Sequence, residues 1–464
     1  MMRLIVISDL HVGAGKLDDC DSELENALID FLKDLSNDPS SIQLVIDGDF
    51  LDFAQSNPWQ RDDLEAVTPA GTPLCFTEEQ SLQKLREIIK AHTAIFDALS
   101  EFLRSTNHEL VVLPGNHDVD FFWERVREHF TSVVTKGDGS AANKLHFCLE
   151  PFYRPNEYPE IWIEHGHQYD DCNKFFFQGQ PKWSTENWPT LRDTKGVPRL
   201  IECVGTRFLI NFLNALDSEY PFVDNVKPFS KFLKMFLASS VCPGFGPIKA
   251  SVAYWGFLKF LGNTLEKSPK DLLGKSSDKF DPLDGFAKNI RGLKQSNSAK
   301  MQKALADAGF EFRGMSLDFY VKERSRIDAL LEFINSKPGI LDSFDRNNSV
   351  YLAKGDTRYL SLTGGFLKDE TLELKNAAQK IISSGKATGV IMGHTHESVD
   401  PTGDLNYVNI GSWTRYYRDT AERTVHRSWS LLKNSSYEHF PFELAYAQVS
   451  TSGHGNLTRE KFRP

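Results

Sequence analysis

Cysteine is scarce in this chain of 464 residues: Cys20, Cys75, Cys148, Cys172, Cys203 and Cys242 lie scattered, and no CxxC pair occurs. That spacing excludes a zinc knuckle and a dense disulfide framework, and a cytoplasmic, reducing environment is the expectation. Long apolar runs are missing too. None approaches the ~20 residues that a membrane-spanning helix needs, and Met1 to Asp9 turns polar before the ~7–15-residue apolar core of a secretory leader could form. Excess basic charge is also absent: 53 Lys and Arg stand against 63 Asp and Glu, a net of −10. No global field therefore draws the chain to nucleic acid or an anionic membrane. Repeats and low-complexity tracts do not occur. The composition, 40% apolar and 25% charged, is that of a globular protein able to bury a sizeable core.

Apolar periodicity marks a series of strand–loop–helix units. Leu4 to Ile7 reads as a buried strand that runs into Ser8-Asp9-Leu10-His11. Ser22 and Glu25 form an expected capping box, and Leu24, Leu28, Phe31, Leu32 and Leu35 then recur at helical spacing. Leu44-Val45-Ile46 leads into Asp47-Gly48-Asp49, and Thr77 to about Leu103 is expected as one long amphipathic helix. Leu110 to Leu113 precedes Pro114-Gly115-Asn116-His117-Asp118 and a helix through about Phe130, and Ile161-Trp162-Ile163 is a fourth strand. The rhythm resumes with a helix near residues 368 to 384, a strand at Val390-Ile391-Met392, and extended runs near Tyr407, Trp429 and Tyr446.

Five polar clusters each follow a short apolar strand: Asp9-Leu10-His11, Gly48-Asp49-Phe50-Leu51-Asp52, Gly115-Asn116-His117-Asp118, His165-Gly166-His167, and Gly393-His394-Thr395-His396. Loops beyond the carboxyl ends of strands in α/β sheets converge on one crevice, so residues distant in sequence can meet there. Any one of these clusters would be an ordinary surface loop; five in the same position relative to a strand are a site. Carboxylate, amide oxygen and imidazole without thiolate suit divalent ions such as Mn, Fe, Co, Ni or Zn in a reactive rather than a structural centre. A carboxylate such as Asp49 can bridge two cations ~3.5–4 Å apart and offset part of their repulsion. The glycines beside these residues allow tight turns.

In order and composition the five blocks resemble the calcineurin-like metallophosphoesterases, with their DxH, GDxxD, GNH(D/E), HG and GHxH elements, over roughly residues 1 to 170 and 385 to 415. The resemblance implies an α/β fold, a β-sandwich flanked by helices. It implies metal-dependent hydrolysis of a phosphoester or pyrophosphate by a metal-bridging hydroxide at a dinuclear centre, with manganese the leading cofactor. It assigns Asp9, His11, Asp49 and His396 to one ion, and Asp49, Asn116, His165 and His394 to the other. His117 matches the catalytic histidine of the family, with Asp52 orienting its imidazole. His165 and His167 compete for one ligand role; the family's use of the histidine before the glycine favours His165, leaving His167 to line the substrate site. Asn409-Ile410-Gly411-Ser412-Trp413 is expected to support the centre. The other seven histidines, His92, His108, His129, His146, His426, His439 and His454, are expected to be structural or solvent-facing.

The core is thus expected in two parts, 1–169 and 350–464, around a mainly helical insertion or cap at 170–349. Within it Phe229, Phe232, Leu233, Phe236 and Leu237, and then Tyr254, Phe257, Leu258 and Leu261, fall at helical spacing, with Lys231, Lys234 and Lys259 among them. These stripes suit first the insertion's own core, and second an apolar wall for a lipid-like substrate or peripheral contact with a membrane. The His165–Asp170 and Gly48–Phe53 segments are similar to the UDP-2,3-diacylglucosamine pyrophosphohydrolases, which suggests a lipid-linked diphosphate. Those enzymes carry Arg where this chain has His117, and a shorter cap. Phe53 stands where the protein Ser/Thr phosphatases have Arg, which disfavours phosphoprotein substrates. A phosphorylated small-molecule or lipid-linked substrate is expected ahead of nucleic acid; a nuclease and a catalytically silent scaffold of the same fold are the alternatives.

Overall fold

The computed structural model describes residues 2–15, 19–56, 75–105, 107–170, 370–418, 440–449 and 455–464, with short pieces between 173 and 227 and around 303–311. Strands β1 (Arg3–Ile7), β2 (Ile42–Asp47), β3 (His108–Leu113) and β4 (Leu145–Phe147) run parallel. A second sheet is formed by β5 (Ile161–Ile163), β6 (Gly389–Met392) and β7 (Tyr407–Asn409), all parallel, with β6 central. The first sheet is completed by β8 (Ala445–Val449), antiparallel to β1, and by β9 (Leu457–Lys461) at its edge.

Successive side chains of a strand face opposite ways, and both faces of these strands are apolar because both are covered. From β1, Leu4 and Val6 join Val45, Val111 and Leu113 in a core shared with Ile161, Ile163, Ile391 and Val408 of the second sheet. Ile5, Ile7, Leu44, Ile46, Leu110 and Val112 point the other way, onto four helices: α1 (Ser22–Asn37), α2 (Glu78–Ala91), α3 (Thr93–Arg104) and α4 (Glu124–Thr135). On the far side Trp162, Val390, Met392 and Tyr407 bury against Leu374, Ala377, Ala378 and Ile381 of α5 (Glu370–Ser383). The result is a sandwich of two sheets flanked by helices, as expected for an α/β fold of this kind. Each fully buried large apolar side chain contributes about 1.5–3 kcal/mol, so the two sheets are rigid supports for the loops at their ends.

Three local expectations are corrected. The α1 cap is Asp21 rather than Ser22: its Oδ1 accepts from the amides of Glu23 at 2.9 Å and Leu24 at 3.0 Å, so the carboxylate also meets the positive end of the helix. The helix expected from Thr77 to Leu103 is two. Its start has the full capping box of Thr77 and Gln80, but His92, at φ −122° and ψ 41°, leaves the helical region; its amide closes on Ile88 O and its carbonyl accepts from Ile95, so one helix ends where the next begins. The helix read through Phe130 begins after a 3-10 turn at Val119–Phe122 and runs on to Thr135.

The described pieces between 170 and 349 include short strands, among them the antiparallel pair Thr190–Arg192 and Pro198–Leu200. The aromatic stripes at 229–237 and 254–261, their lysines, and the extended run near Trp429 lie outside the described residues.

Candidate metal centre

All five polar clusters sit at the carboxyl ends of their strands: Asp9 and His11 after β1, Asp49 and Asp52 after β2, Asn116 and His117 after β3, His165 after β5, His394 and His396 after β6. The first two loops stay knitted together beyond the sheet, through the amides of Leu10 and His11 to Asp49 O, both at 3.0 Å, and of Asp52 to Val12 O at 2.9 Å. The two sheets are joined at the site by the Trp413 amide to Asp9 O at 3.1 Å and the His394 amide to the Asp9 carboxylate at 3.0 and 3.1 Å. Asn409 holds the last loop: its Nδ2 donates to Gly393 O at 2.7 Å and its Oδ1 accepts from Gly411 N at 3.0 Å. The support expected from the Asn409–Trp413 segment is therefore made by backbone-directed hydrogen bonds.

Among the described residues, six non-glycine residues have left-handed backbone: Asp9, His11, Asp49, Lys136, His394 and His396. Five of these are sequence-predicted metal ligands. Left-handed φ costs a β-carbon-bearing residue of order 1 kcal/mol or more and persists only where surrounding structure imposes it. Here it bends the chain sharply at each strand end, where Asp9, His11, Asp49, His394 and His396 come together. The neighbouring glycines serve by absence of bulk: a β-carbon at Gly115 would stand 2.2 Å from Asp49 Oδ1, and one at Gly393 would stand 2.3 Å from Asp9 Oδ2.

The donor atoms gather in groups whose members lie within 4.8 Å of one another: Asp9, His11 and His396; Asp49, His165 and His394; and His11, Asp49 and His117. His396 Nε2 is 3.3 Å from Asp9 Oδ1, His11 Nε2 is 3.8 Å from Asp49 Oδ2, and His165 Nε2 is 3.1 Å from the same Asp49 oxygen. Asp49 thus belongs to both ends of the constellation. Among the described residues, Asn116 Oδ1 is buried with no hydrogen-bond partner, and Asn116 stands between Gly115 and His117, both of which contact Asp49. A buried amide oxygen without a partner costs about 1–3 kcal/mol, and a cation satisfies it.

The charge balance fits cations as well. Burial works to raise the carboxyls of Asp9, Asp49 and Asp52, but adjacent imidazolium charge holds all three below the usual carboxylate range. His165 loses by burial and gains more from Asp49 and Asp9, which lift it to about 10. Without metal, the proton that His165 retains offsets part of the carboxylate charge; divalent ions can replace it.

Asp52 has more to do than its sequence position suggested. Its Oδ2 accepts from His117 Nδ1 at 2.9 Å and from His11 Nδ1 at 3.2 Å, while Oδ1 accepts the Gln55 amide at 2.8 Å. The two rings meet edge to face with centroids 4.6 Å apart. Asp118, whose role the sequence left open, receives the amides of Gly115 at 2.6 Å and Phe50 at 2.8 Å and so clamps two loops together. His165 Nδ1 donates to Asp47 O at 2.8 Å, which leaves Nε2 for the centre. His167 lies deeper, buried beside Phe175 and His165, and burial drives its imidazolium well below the usual range. Two of the histidines expected to be structural are so placed: His92 pairs with Glu25 at 3.2 Å, and His108 stacks on Phe102.

Residues 2–210 match the family model described as calcineurin-like phosphoesterase, which supports that superfamily and, with it, metal-dependent hydrolysis of phosphoesters. The matched stretch holds four of the five clusters; the fold brings the fifth, Gly393 to His396, against Asp9 and His11. Comparison with curated proteins and with solved structures gives no match. Among the described residues, no helix is long and apolar enough to cross a membrane.

Proposed function

We propose that this chain is a dinuclear metallophosphoesterase, cleaving a phosphoester or pyrophosphate bond between two divalent cations, with manganese the first to try. The observation that supports this reading most is the convergence of Asp9, His11, Asp49, His165, His394 and His396 from four separate loops, with the partnerless Asn116 oxygen in a fifth. Asp9, His11, Asp49 and His396 would hold one ion, and Asp49, Asn116, His165 and His394 the other. Bound there, the ions would supply charge neutralisation and an acidified water. His117, partly exposed with its Nδ1 tied to Asp52, would donate a proton from Nε2 to the leaving oxygen. Asp52 fixes that tautomer and stabilises the imidazolium. His167, buried beside His165, would line the inner side of the substrate site. The substrate is a phosphorylated small molecule or a lipid-linked diphosphate, in a cytoplasmic protein.

The test is turnover of p-nitrophenyl phosphate, bis-p-nitrophenyl phosphate and a UDP-linked lipid diphosphate by metal-depleted protein restored with Mn²⁺, beside the His117→Ala variant. The reading expects activity that depends on added metal and falls by ~10²–10⁴ in the variant with metal still bound. Metal-loaded protein inert toward all three would leave a silent scaffold, and cleavage of DNA or RNA alone would establish the nuclease alternative.

A further inference from the structure

His394 is held from outside the five clusters. Its Nε2 lies 3.1 Å from Asp170 Oδ2, while its Nδ1 is buried and, among the described residues, has no hydrogen-bond partner. A carboxylate only accepts, so this bond keeps the proton on Nε2 and leaves Nδ1 a bare lone pair. Asp170 is 7% exposed and follows β5 through the short turn His167–Tyr169, its amide bonded to His167 O at 3.1 Å. Asn173 then donates from Nδ2 to the same Oδ2 at 2.6 Å, and the amides of Asn173 and Lys174 return to Asp170 O. The carboxylate is fixed before His394 reaches it. Further along, Cys203 Sγ is 3.8 Å from Asn173 Oδ1, and a β-carbon on Gly205 would stand 1.9 Å from that oxygen.

We infer that Asp170 is a positioning residue for the second cation: it locks His394 in the Nε2–H tautomer with Nδ1 presented to the ion, and Asn173 locks Asp170. The inference rests on the two-cation reading of the centre. Asp170 is not itself a ligand, because its Oδ2 is already shared by two donors and the atoms of Asp49, His165 and His394 converge without it. The seating of the segment around Asn173, Cys203 and Gly205 then sets how firmly the second ion is held, which makes metal loading sensitive to a part of the chain beyond the core motifs. Partners that orient a metal-bound histidine in this way are typically worth 10–100-fold in metal affinity.

Mn²⁺ titration of the metal-depleted full chain by calorimetry, with imidazole tautomers read from long-range ¹H–¹⁵N spectra before metal is added, tests this. In Asp170→Ala one ion should bind as in wild type and the other roughly 10–100-fold more weakly, with the His394 signal shifting from the Nε2–H pattern toward Nδ1–H. Asp170→Asn, which keeps a neutral acceptor of about half the strength, should fall between and remains informative if the alanine variant does not fold. Wild-type loading of both ions in both variants, or equal weakening of both ions with a lowered melting temperature, would overturn the inference. Fewer than two ions in wild type would instead refute the two-cation reading, and the tautomer spectrum of the metal-free chain would still decide the part of Asp170.

Discussion

Replacing Asp52 by Asn changes one oxygen into an NH₂ group, and two histidines depend on that oxygen. The Oδ1 position is anchored by the Gln55 amide at 2.8 Å, so an asparagine keeps its carbonyl there and turns its NH₂ toward His11 Nδ1 and His117 Nδ1, now 3.2 and 2.9 Å from Oδ2. A donor facing both rings drives each proton from Nδ1 to Nε2. For His11, Nε2 is the atom 3.8 Å from Asp49 Oδ2 and 3.0 Å from His396 Nε2, so protonating it removes a ligand. The expected loss at that ion is ~10–100-fold in affinity, or roughly 1.4–2.7 kcal/mol. For His117 the imidazolium, the form able to donate from Nε2, loses the carboxylate that stabilises it, and turnover at saturating metal should fall by ~10²–10⁴. Calorimetric metal titration and steady-state kinetics at saturating Mn²⁺ separate the two effects in one variant. Reduced turnover with unchanged metal affinity would show that Asp52 serves His117 alone and refute the shared-acceptor argument.

Gly115→Ala puts a β-carbon 2.2 Å from Asp49 Oδ1 and 2.7 Å from Asp49 N, and relief requires about 1 Å of movement; kcat should drop on the order of 10²-fold and both ions should bind more weakly, so wild-type kinetics would contradict the close approach. Lys84 is fully buried, donating to Phe53 O at 2.8 Å and to Ser56 O, and burial lowers its ammonium from 10.5 to about 8. The unfolded chain keeps that proton up to 10.5, so between pH 8 and 10.5 unfolding takes up a proton and stability rises with pH. Relative to Lys84→Met, the wild type should therefore gain up to roughly 3 kcal/mol across that window, measured by urea titration at each pH; a constant difference would mean an unshifted lysine. His117→Ala should keep its full metal content by mass spectrometry while losing turnover, and an unaltered kcat would remove His117 from the chemistry.

Much of the site was legible because its ligands must follow strand ends, and a strand end is where an apolar run meets Gly, Asp, Asn or His. The five loops and the support from Asn409 could be read in this way. The double use of Asp52 could not, because it depends on how the His11 and His117 rings meet in space, and Asp170 belongs to no strand-end cluster. The assignment of strands to two sheets also escapes periodicity: Val6 and Ile391 look alike in sequence, and only the shared layer with Ile161 and Val45 reveals that they face each other. Leu457–Lys461, with Thr, Arg, Glu and Lys in it, carries no apolar run to mark it yet pairs with β8 as an edge strand, where polar residues are tolerated on the solvent side. The break at His92 was masked by apolar residues that keep helical spacing on both sides of it, from Ile88 to Ile95 and Phe96.

Asp49 carries the central claim, since its carboxylate belongs to both ends of the constellation. Metal content per chain, by inductively coupled plasma and intact-protein mass spectrometry, should be two divalent ions in wild type and close to none in Asp49→Asn, with the fold retained by circular dichroism. Two ions remaining in the variant would contradict the bridge, and a wild-type chain that binds no divalent metal under any loading condition would contradict the account as a whole.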